Sequence, residues 1–355
     1  SFLNIDTSLL LVLVILIPGL GLFLVMTVNA MVAVYMERKI SAFMQDRLGP
    51  MEVGLFGFKG GKKFWGGIGQ TIADAIKLLA KEDIVPNDAD KKLMLLAPFV
   101  IFIGAFLTWI AIPLSQNLVV SDFNIGIFYI IAMSSVGVIG IILAGWSSNN
   151  KWSLYGAMRA AAQIISYEIP IGLSLLLVVI VTGSLNLGDI VQWQSDYRWF
   201  IIHSPFTFLA FFIYFISTVA ETNRTPFDIP EAESELVAGW MTEYSGFKWA
   251  IFFLSEYANM LIVSIVASVV FLGGWLSPLA LLNIGIPDKW MFLDGPILGF
   301  FWIMVKAIFL IFVMMWFRWT FPRLRVDQLM YLCWKVFIPF ALGNLFFVSI
   351  WELIF

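Results

Sequence analysis

The sequence contains very few of the residues from which a redox centre or a metal site is built. Its 355 residues include one cysteine and one histidine. This chain alone therefore cannot form an iron–sulfur cluster, a structural zinc site, a bis-histidine haem site or a disulfide framework. Any redox chemistry in which the protein takes part must use a cofactor that is held elsewhere.

Charged residues are also scarce, which excludes several classes of protein. They make up 13% of the chain, whereas an ordinary soluble domain carries roughly 25%. Apolar residues reach 61%, the formal net charge is -3 and the mean hydropathy is +0.92. These values exclude a soluble globular enzyme, a disordered chain and a basic nucleic-acid-binding protein, and they indicate a membrane protein.

Long runs without charge predict about eight membrane-spanning helices, because about 20 apolar residues cross the bilayer core. The runs are 7–36, 93–121, 123–150, 169–188, 199–220, 257–287, 297–317 (interrupted only by Lys306) and 336–351. We interpret the first run as a membrane helix and not as a cleaved signal peptide, since it is long and no positive charge precedes it. The predicted fold is an all-α polytopic membrane protein, with residues 1–355 forming a single integral membrane domain.

The distribution of lysine and arginine predicts the orientation of this domain. The odd-numbered connections hold 18 of the 21 Lys and Arg residues, and the even-numbered connections hold two. Because positively charged loops stay on the cytoplasmic side, we expect the odd loops to be cytoplasmic and both termini to lie outside.

The longest loop, residues 37–92, contains a predicted amphipathic helix. Its apolar residues share one helical face, and its polar residues share the other: Ile68, Ile72, Ala75, Ile76 and Leu79 against Gln70, Asp74, Lys77 and Lys81. This pattern is typical of a helix at the membrane surface. Two interpretations remain open, since the helix either packs over the ends of the bundle or lines a functional space with its polar face.

Three ionisable residues fall inside the predicted spans. Glu168 is at the start of the fourth span, Glu256 is in the sixth and Lys306 is in the seventh. Ionisable groups in the bilayer are costly and by default indicate function. The structural alternative is that Glu256 and Lys306 satisfy each other as an ion pair.

The fifth loop, residues 221–246, is unusually acidic for the positive face. It contains a single basic residue, Arg224, and six acidic residues: Glu221, Asp228, Glu231, Glu233, Glu235 and Glu243. A charge run is normally a solvated surface, but interleaved apolar residues and two prolines favour a segment tucked into the protein. Carboxylates crowded in a low dielectric couple their titrations, which is what a proton relay requires. The spacing does not predict the octahedral oxygen cage of a metal site.

Several stretches together resemble one family. They are ERKISAFMQDRLGP at 37–50, ADAIKLLAKE at 73–82, AGWSSNNK at 144–151, ETNRTPFDIPEAESELVAG at 221–239 and RLRVDQLM at 323–330. They look like the H-subunit family of bacterial proton-pumping NADH:quinone oxidoreductase, respiratory complex I, whose mitochondrial counterpart is NADH dehydrogenase subunit 1. The resemblance runs from the first span to the last.

The resemblance implies three groups of site residues. The quinone access chamber would be bordered by Arg38, Arg47, Asp74, Lys77, Arg224, Phe227 and Asp228. The acidic proton path would comprise Glu168, Glu221, Glu231, Glu233, Glu235, Glu243 and Glu256. The residues that dock the peripheral redox arm would be Arg323, Arg325 and Asp327. No residue of this chain alone would be catalytic, and no metal would be bound.

The resemblance also implies substrate, cofactors and partners. The substrate would be a quinone, either ubiquinone or menaquinone, while FMN and iron–sulfur clusters would lie only in partner subunits. Partners would be the quinone-site subunits of the peripheral arm, small membrane-arm subunits and membrane lipid, without nucleic acid. The expected location is the bacterial inner (plasma) membrane. Two alternatives stay open: the anchor subunit of a related membrane-bound hydrogenase, and a free-standing ion-coupled transporter using Glu168, Glu256 and Lys306.

Overall fold

The protein is a bundle of long apolar helices. A computed structural model describes residues 7–54, 66–230, 235, 237–278 and 295–354, with side chains of the first helix described from residue 16 onwards. In these ranges we number the α-helices α1 (Thr7–Met44), α2 (Gly69–Ala80), α3 (Lys91–Thr108), α4 (Gly126–Ser147), α5 (Lys151–Thr182), α6 (Leu187–Asp196), α7 (Phe200–His203), α8 (Pro205–Glu221), α9 (Gly246–Phe271), α10 (Pro296–Thr320) and α11 (Val326–Ile354). A 3₁₀ turn, Trp109–Ala111, extends α3, and α11 contains a π-helical segment, Leu332–Phe337. The predicted all-α polytopic class is confirmed.

Seven of the described helices are long and apolar enough to cross a bilayer, namely α1, α3, α4, α5, α9, α10 and α11. The predicted span 199–220 differs, because it is divided into α7 and the 17-residue α8. Ser204 makes the division: its backbone is extended, its hydroxyl caps α8 by accepting the Thr207 backbone N–H, and Pro205 occupies the first helical position. Proline at that position starts a helix well but cannot continue one from the preceding turn.

The fourth predicted span, 169–188, has a different beginning in the structure. Helix α5 starts at Lys151, where the Asn150 side chain caps it, and ends at Gly183 in the left-handed conformation. Residues 151–168, expected to be loop, are therefore helical, and Glu168 lies in the middle of a helix. Charged residues end an apolar run in the sequence, but they do not end a helix, because their side chains can reach a partner or solvent.

Helix α9 occupies the centre of the bundle. From Tyr257 to Phe271 almost every side chain is buried, whichever face it occupies. A helix that is apolar on all sides belongs in the interior of a bundle. Glu256 lies directly before this buried stretch, and its side chain is 20% exposed.

Close helix approaches fix the rest of the bundle. A Cβ atom on Gly140 of α4 would lie 2.4 Å from the Ile101 side chain and 2.9 Å from the Ile101 backbone nitrogen on α3. Helix α11 packs along α5, where the Cys333 thiol is fully buried and donates to the Ser166 carbonyl at 3.0 Å. Small residues permit such contacts between membrane helices.

The predicted amphipathic helix corresponds to α2, which packs beside α1 and α9. Asp74 on its polar face bonds Arg38 of α1 at 2.6 Å. Ile72, Ile76 and Leu79 on its apolar face remain exposed. Asp74 therefore contacts the rest of the chain, whereas the apolar face points away from it.

Candidate functional site: a buried ion cluster and the acids around it

Arg224 is the centre of a buried ion cluster. It lies three residues after α8, and its side chain is only 4% exposed. Its Nη1 atom is 3.1 Å from Glu37 Oε2, and its Nη2 atom is 2.8 Å from Glu256 Oε1. One guanidinium thus bridges an acid on α1 and an acid on α9. Arginine suits this position because its donors form a rigid planar fork.

Two further side chains complete the cluster at Glu37. The Tyr257 hydroxyl and the Arg318 guanidinium both donate to the Glu37 carboxylate. Arg224 also lies over the Tyr257 ring, 4.6 Å from its centroid. The cluster therefore pairs two carboxylates with two guanidiniums, which compensates the charges that the fold removes from water.

The electrostatic balance at Arg224 combines opposing effects. Burial acts to lower the pKa of Arg224, but the adjacent Glu256 and Glu37 carboxylates raise the pKa well above its usual value. The guanidinium is therefore a fixed positive charge. Its Nε atom is buried without a hydrogen-bond partner among the described residues, so removing either acid would leave this charge poorly compensated.

The loop that follows α8 is folded into the protein. Phe227 is buried against the Tyr167 ring, with 5.6 Å between centroids. The Gln163 side-chain amide donates to the Ala220 carbonyl at 2.7 Å and to the Phe227 carbonyl at 2.8 Å. These bonds from α5 satisfy backbone groups that a buried loop would otherwise leave unpaired.

The same loop is tied to a residue from the predicted docking group. Asp228 is buried and bonds Arg323, with 3.0 Å between Asp228 Oδ2 and Arg323 Nη2. Arg325 and Asp327 lie 3.8 Å apart and are largely exposed. The structure thus joins the predicted chamber wall to one predicted docking residue and leaves the other two accessible.

The remaining predicted chamber residues lie around α1 and α2. Arg38 and Asp74 form an ion pair across these helices. Arg47 bonds the neighbouring Gln45 and is exposed, and Lys77 is exposed on α2. Arg47 and Lys77 are therefore not brought into the cluster around Arg224.

The predicted acidic path divides into three places. Glu168 on α5 accepts the Ser135 hydroxyl of α4 and interacts electrostatically with Glu221 at the end of α8. Glu256 belongs to the buried cluster. Glu235 pairs with Arg159 at 2.7 Å, and Glu243 accepts the Asn150 side-chain amide at 2.6 Å.

Two members of the path, Glu231 and Glu233, lie outside the described residues. Glu256 interacts electrostatically with Asp228 of the loop and with Glu37 of the cluster. The acids nearest the loop are thus coupled through charge even where their side chains do not touch.

The predicted alternative pairing of Glu256 with Lys306 is wrong. Lys306 donates to the carbonyl oxygens of Leu272, Gly274 and Leu276 at 2.7, 2.8 and 2.8 Å, and its ammonium lies over the Trp199 ring. Leu272 follows Glu256 by about 24 Å of helix. A cation is favoured at that end of α9 because its last carbonyls carry partial negative charge.

Sequence reasoning missed three members of the cluster, which are Glu37, Tyr257 and Arg318. Glu37 is the first residue of one of the family-like stretches, and Arg318 is one of the basic residues of the seventh loop. Each is a charged residue at the boundary of a predicted span, which was the available sign that it could matter. Their convergence was not readable, because Arg318 and Glu37 are separated by 281 positions in the sequence. Tyr257 carried no signal beyond its position next to Glu256.

An apolar cleft of about 390 Å³ lies between α8 and α10. It ends at the loop residues Pro226 and Phe227, and its lining includes Phe211, Phe309 and Phe317. Ligand cavities commonly have volumes of about 300–1,000 Å³. Its lining suits a hydrocarbon chain.

Comparisons with known proteins give a consistent result. A family model described as NADH dehydrogenase matches residues 17–349. A protein of Chlorobaculum tepidum, named as the H subunit of NADH-quinone oxidoreductase, is 53% identical over 322 residues, covering 90% of this chain and 86% of that protein. Proteins of the same name from a Geobacillus species and from Bacteroides thetaiotaomicron are 49% and 46% identical over 334 and 333 residues. They cover 94% and 93% of this chain and 92% and 88% of their own lengths.

Proposed function

Because the chain belongs to the NADH dehydrogenase family, we propose that it links quinone reduction to proton translocation within NADH-quinone oxidoreductase. It is a multi-pass membrane subunit of that enzyme complex. Its substrate there is a quinone, and FMN and iron–sulfur clusters belong to partner subunits. The proposed orientation places its odd loops in the bacterial cytoplasm, where the peripheral arm docks.

The proposed quinone chamber borders the loop after α8 and the C-terminal end of α1. Phe227 and Asp228 form part of its wall, and the Arg38–Asp74 pair forms another part. Arg323, Arg325 and Asp327 dock the peripheral arm, which brings the electrons. Reduction of a quinone to a quinol takes up two electrons and two protons. When those two protons are drawn from acidic groups at this wall, the wall becomes more negative.

The observation that carries the proposal is that Arg224 is shared between Glu37 and Glu256. Arg224 is four residues from Asp228 in the sequence, and Asp228 interacts electrostatically with Glu256. A change of charge at the wall therefore alters the balance of attractions that Arg224 makes to the two acids. Such a shift moves protons because each carboxylate binds a proton more readily when its positive partner withdraws.

Glu168 and Glu221 form the next part of the proposed path. They interact through their like charges, so ionisation of one disfavours ionisation of the other. Glu235 and Glu243, with Glu231 and Glu233, complete the acidic group that exchanges protons with the chamber.

The experiment compares Glu221→Gln with Glu352→Gln in the assembled complex. Glu352 lies on α11 and contacts His203, which precedes α8. It is therefore at the opposite end of α8 from Glu221. We expect Glu221→Gln to lower coupled NADH:quinone turnover about tenfold or more, since an amide cannot take up a proton. Electron transfer from NADH to ferricyanide should remain. Full quinone turnover in Glu221→Gln, or an equal loss in Glu352→Gln, would contradict the relay.

The two alternatives receive less support. A free-standing transporter would use Glu168, Glu256 and Lys306 as one coupling site, but Lys306 lies at the far end of α9 from Glu256. The relatives are named as subunits of an NADH-quinone oxidoreductase and not of a hydrogenase. Co-purification with flavin and iron–sulfur subunits would distinguish the leading proposal from a particle that contains this chain alone.

A further inference from the structure

Ser135 is the side chain of α4 that reaches Glu168 on α5. Its hydroxyl lies against Glu168 Oε1 and also 2.9 Å from the Ile131 carbonyl oxygen of its own helix. A serine hydroxyl has one proton to donate and two lone pairs with which to accept. Its single proton therefore has two acceptors within reach.

These two acceptors match the two protonation states of Glu168. When Glu168 is ionised, the Ser135 hydroxyl donates to the carboxylate in a charge-assisted bond. When Glu168 is protonated, its acidic proton is donated to Ser135 Oγ, and the Ser135 proton turns to the Ile131 carbonyl. Each state keeps Glu168 hydrogen-bonded, which matters because an unpaired polar group between membrane helices is costly.

We propose that Ser135 is a positioning residue that keeps Glu168 hydrogen-bonded in both of its protonation states. When Glu168 releases its proton along the path toward Glu221, the Ser135 hydroxyl turns from Ile131 to Glu168, and uptake of a proton by Glu168 turns it back. No bond other than the two O–H bonds changes, so the step balances with one proton. This inference rests on the proposed function of Glu168 and Glu221.

The chain offers a matched control in the adjacent Ser134. Ser134 lies on the same helix, is similarly half-buried and donates to the same Ile131 carbonyl at 2.9 Å. Ser134→Ala and Ser135→Ala therefore remove the same group from the same turn. Of the two hydroxyls, it is that of Ser135 that bonds Glu168.

The test uses the whole complex carrying Ser135→Ala, Ser135→Thr, Ser134→Ala or Glu168→Gln. Coupled NADH:quinone turnover is measured, together with the infrared difference spectrum of the protonated-carboxyl region. We expect Ser135→Ala to lower turnover about tenfold or more, which is the size of effect expected when one hydrogen bond to a charged group is lost. The infrared band that Glu168→Gln removes should move to higher frequency in Ser135→Ala. Ser135→Thr should restore both properties, and Ser134→Ala should change neither.

The outcomes separate this inference from the proposed function. Unchanged turnover and an unmoved band in Ser135→Ala, with turnover lowered by Glu168→Gln, would overturn the role of Ser135 alone. Unchanged turnover in Glu168→Gln would overturn both the path through Glu168 and the role of Ser135. If Ser135→Ala does not assemble, Ser135→Cys keeps a similar volume with a weaker donor, and it should lower turnover and move the band in the same direction.

Discussion

Arg224 lies over the aromatic ring of Tyr257, 4.6 Å from the ring centroid, while the Tyr257 hydroxyl donates to Glu37. One tyrosine thus contacts both the cation and one acid of the buried cluster. The ring face is the negative part of its quadrupole and attracts the guanidinium. Tyr257 therefore fixes the angle at which Arg224 faces its two carboxylates.

Tyr257→Phe tests the hydroxyl without removing the ring. We expect coupled NADH:quinone turnover to fall about tenfold to a hundredfold, because a lost hydrogen bond to a charged group is worth about 1.5–3 kcal/mol. Transfer of electrons to ferricyanide should be unchanged. Tyr167→Phe is the control, because the buried Tyr167 hydroxyl donates to the Leu329 carbonyl at 3.0 Å and the ring that packs against Phe227 is kept. A similar fall in both variants would contradict the role assigned to Tyr257.

Arg224→Met should prevent stable assembly of the complex. Breaking a buried ion pair by removing one partner costs about 3–5 kcal/mol, and here two carboxylates lose their shared cation. Arg224→Lys should assemble in part, since an ammonium lacks the fork that spans both acids. Blue native electrophoresis and a melting curve of the purified complex measure these differences.

Arg159→Met provides the comparison for Arg224. Arg159 pairs with Glu235, whose side chain is 60% exposed, and exposed pairs contribute about 0–1 kcal/mol. Its melting temperature should stay close to that of the unchanged complex. A larger loss in Arg159→Met than in Arg224→Met would contradict the assignment of the central ion cluster.

Gly140→Ala should destabilise the contact between α3 and α4. Its new Cβ would lie 2.9 Å from the Ile101 backbone nitrogen, which cannot move aside as a side chain can. Overpacking of this kind costs about 1–3 kcal/mol. Gly137→Ala on the same helix meets open space, so its stability should be equal or slightly higher. Thermal denaturation of the two variants decides between these expectations.

Lys306→Met should reduce stability without changing the activity of each assembled complex. It leaves three backbone carbonyl oxygens without the ammonium that now contacts them. Lys306→Arg keeps the positive charge beside Trp199 and should be milder. Turnover is measured per mole of bound flavin, so that fewer assembled complexes are not mistaken for slower ones. A fall in turnover per flavin would instead indicate a role in coupling.

The sequence predicts the parts of the fold that depend on local pattern. Charge-free runs located the long helices, and periodic spacing located α2 with Asp74 on its polar face. Local pattern could not predict the beginning of α5, because Lys151, Arg159 and Glu168 interrupt its apolar run although each suits a helix. The break at Ser204 was legible in principle from serine followed by proline.

The sequence predicts several residues of the candidate site, but it does not predict which of them contact one another. Glu256 and Arg224 were each singled out, one as an intramembrane charge and the other within the acidic loop. Their pairing is a tertiary event, because α9 and the loop after α8 meet only in the folded bundle. For the same reason the sequence could not exclude Lys306 as the partner of Glu256. In the structure Lys306 contacts the carbonyls at the end of α9, far from Glu256.

The burial of Cys333 makes the natural chain suitable for site-directed thiol labelling. Its only thiol is enclosed between α11 and α5, so a membrane-impermeant maleimide should find little background. Single cysteines introduced at the exposed positions Lys77 and Tyr197 would then report the sidedness of their loops. In intact cells we expect labelling of Tyr197→Cys and none of Lys77→Cys. The reverse pattern would invert the topology assigned from lysine and arginine.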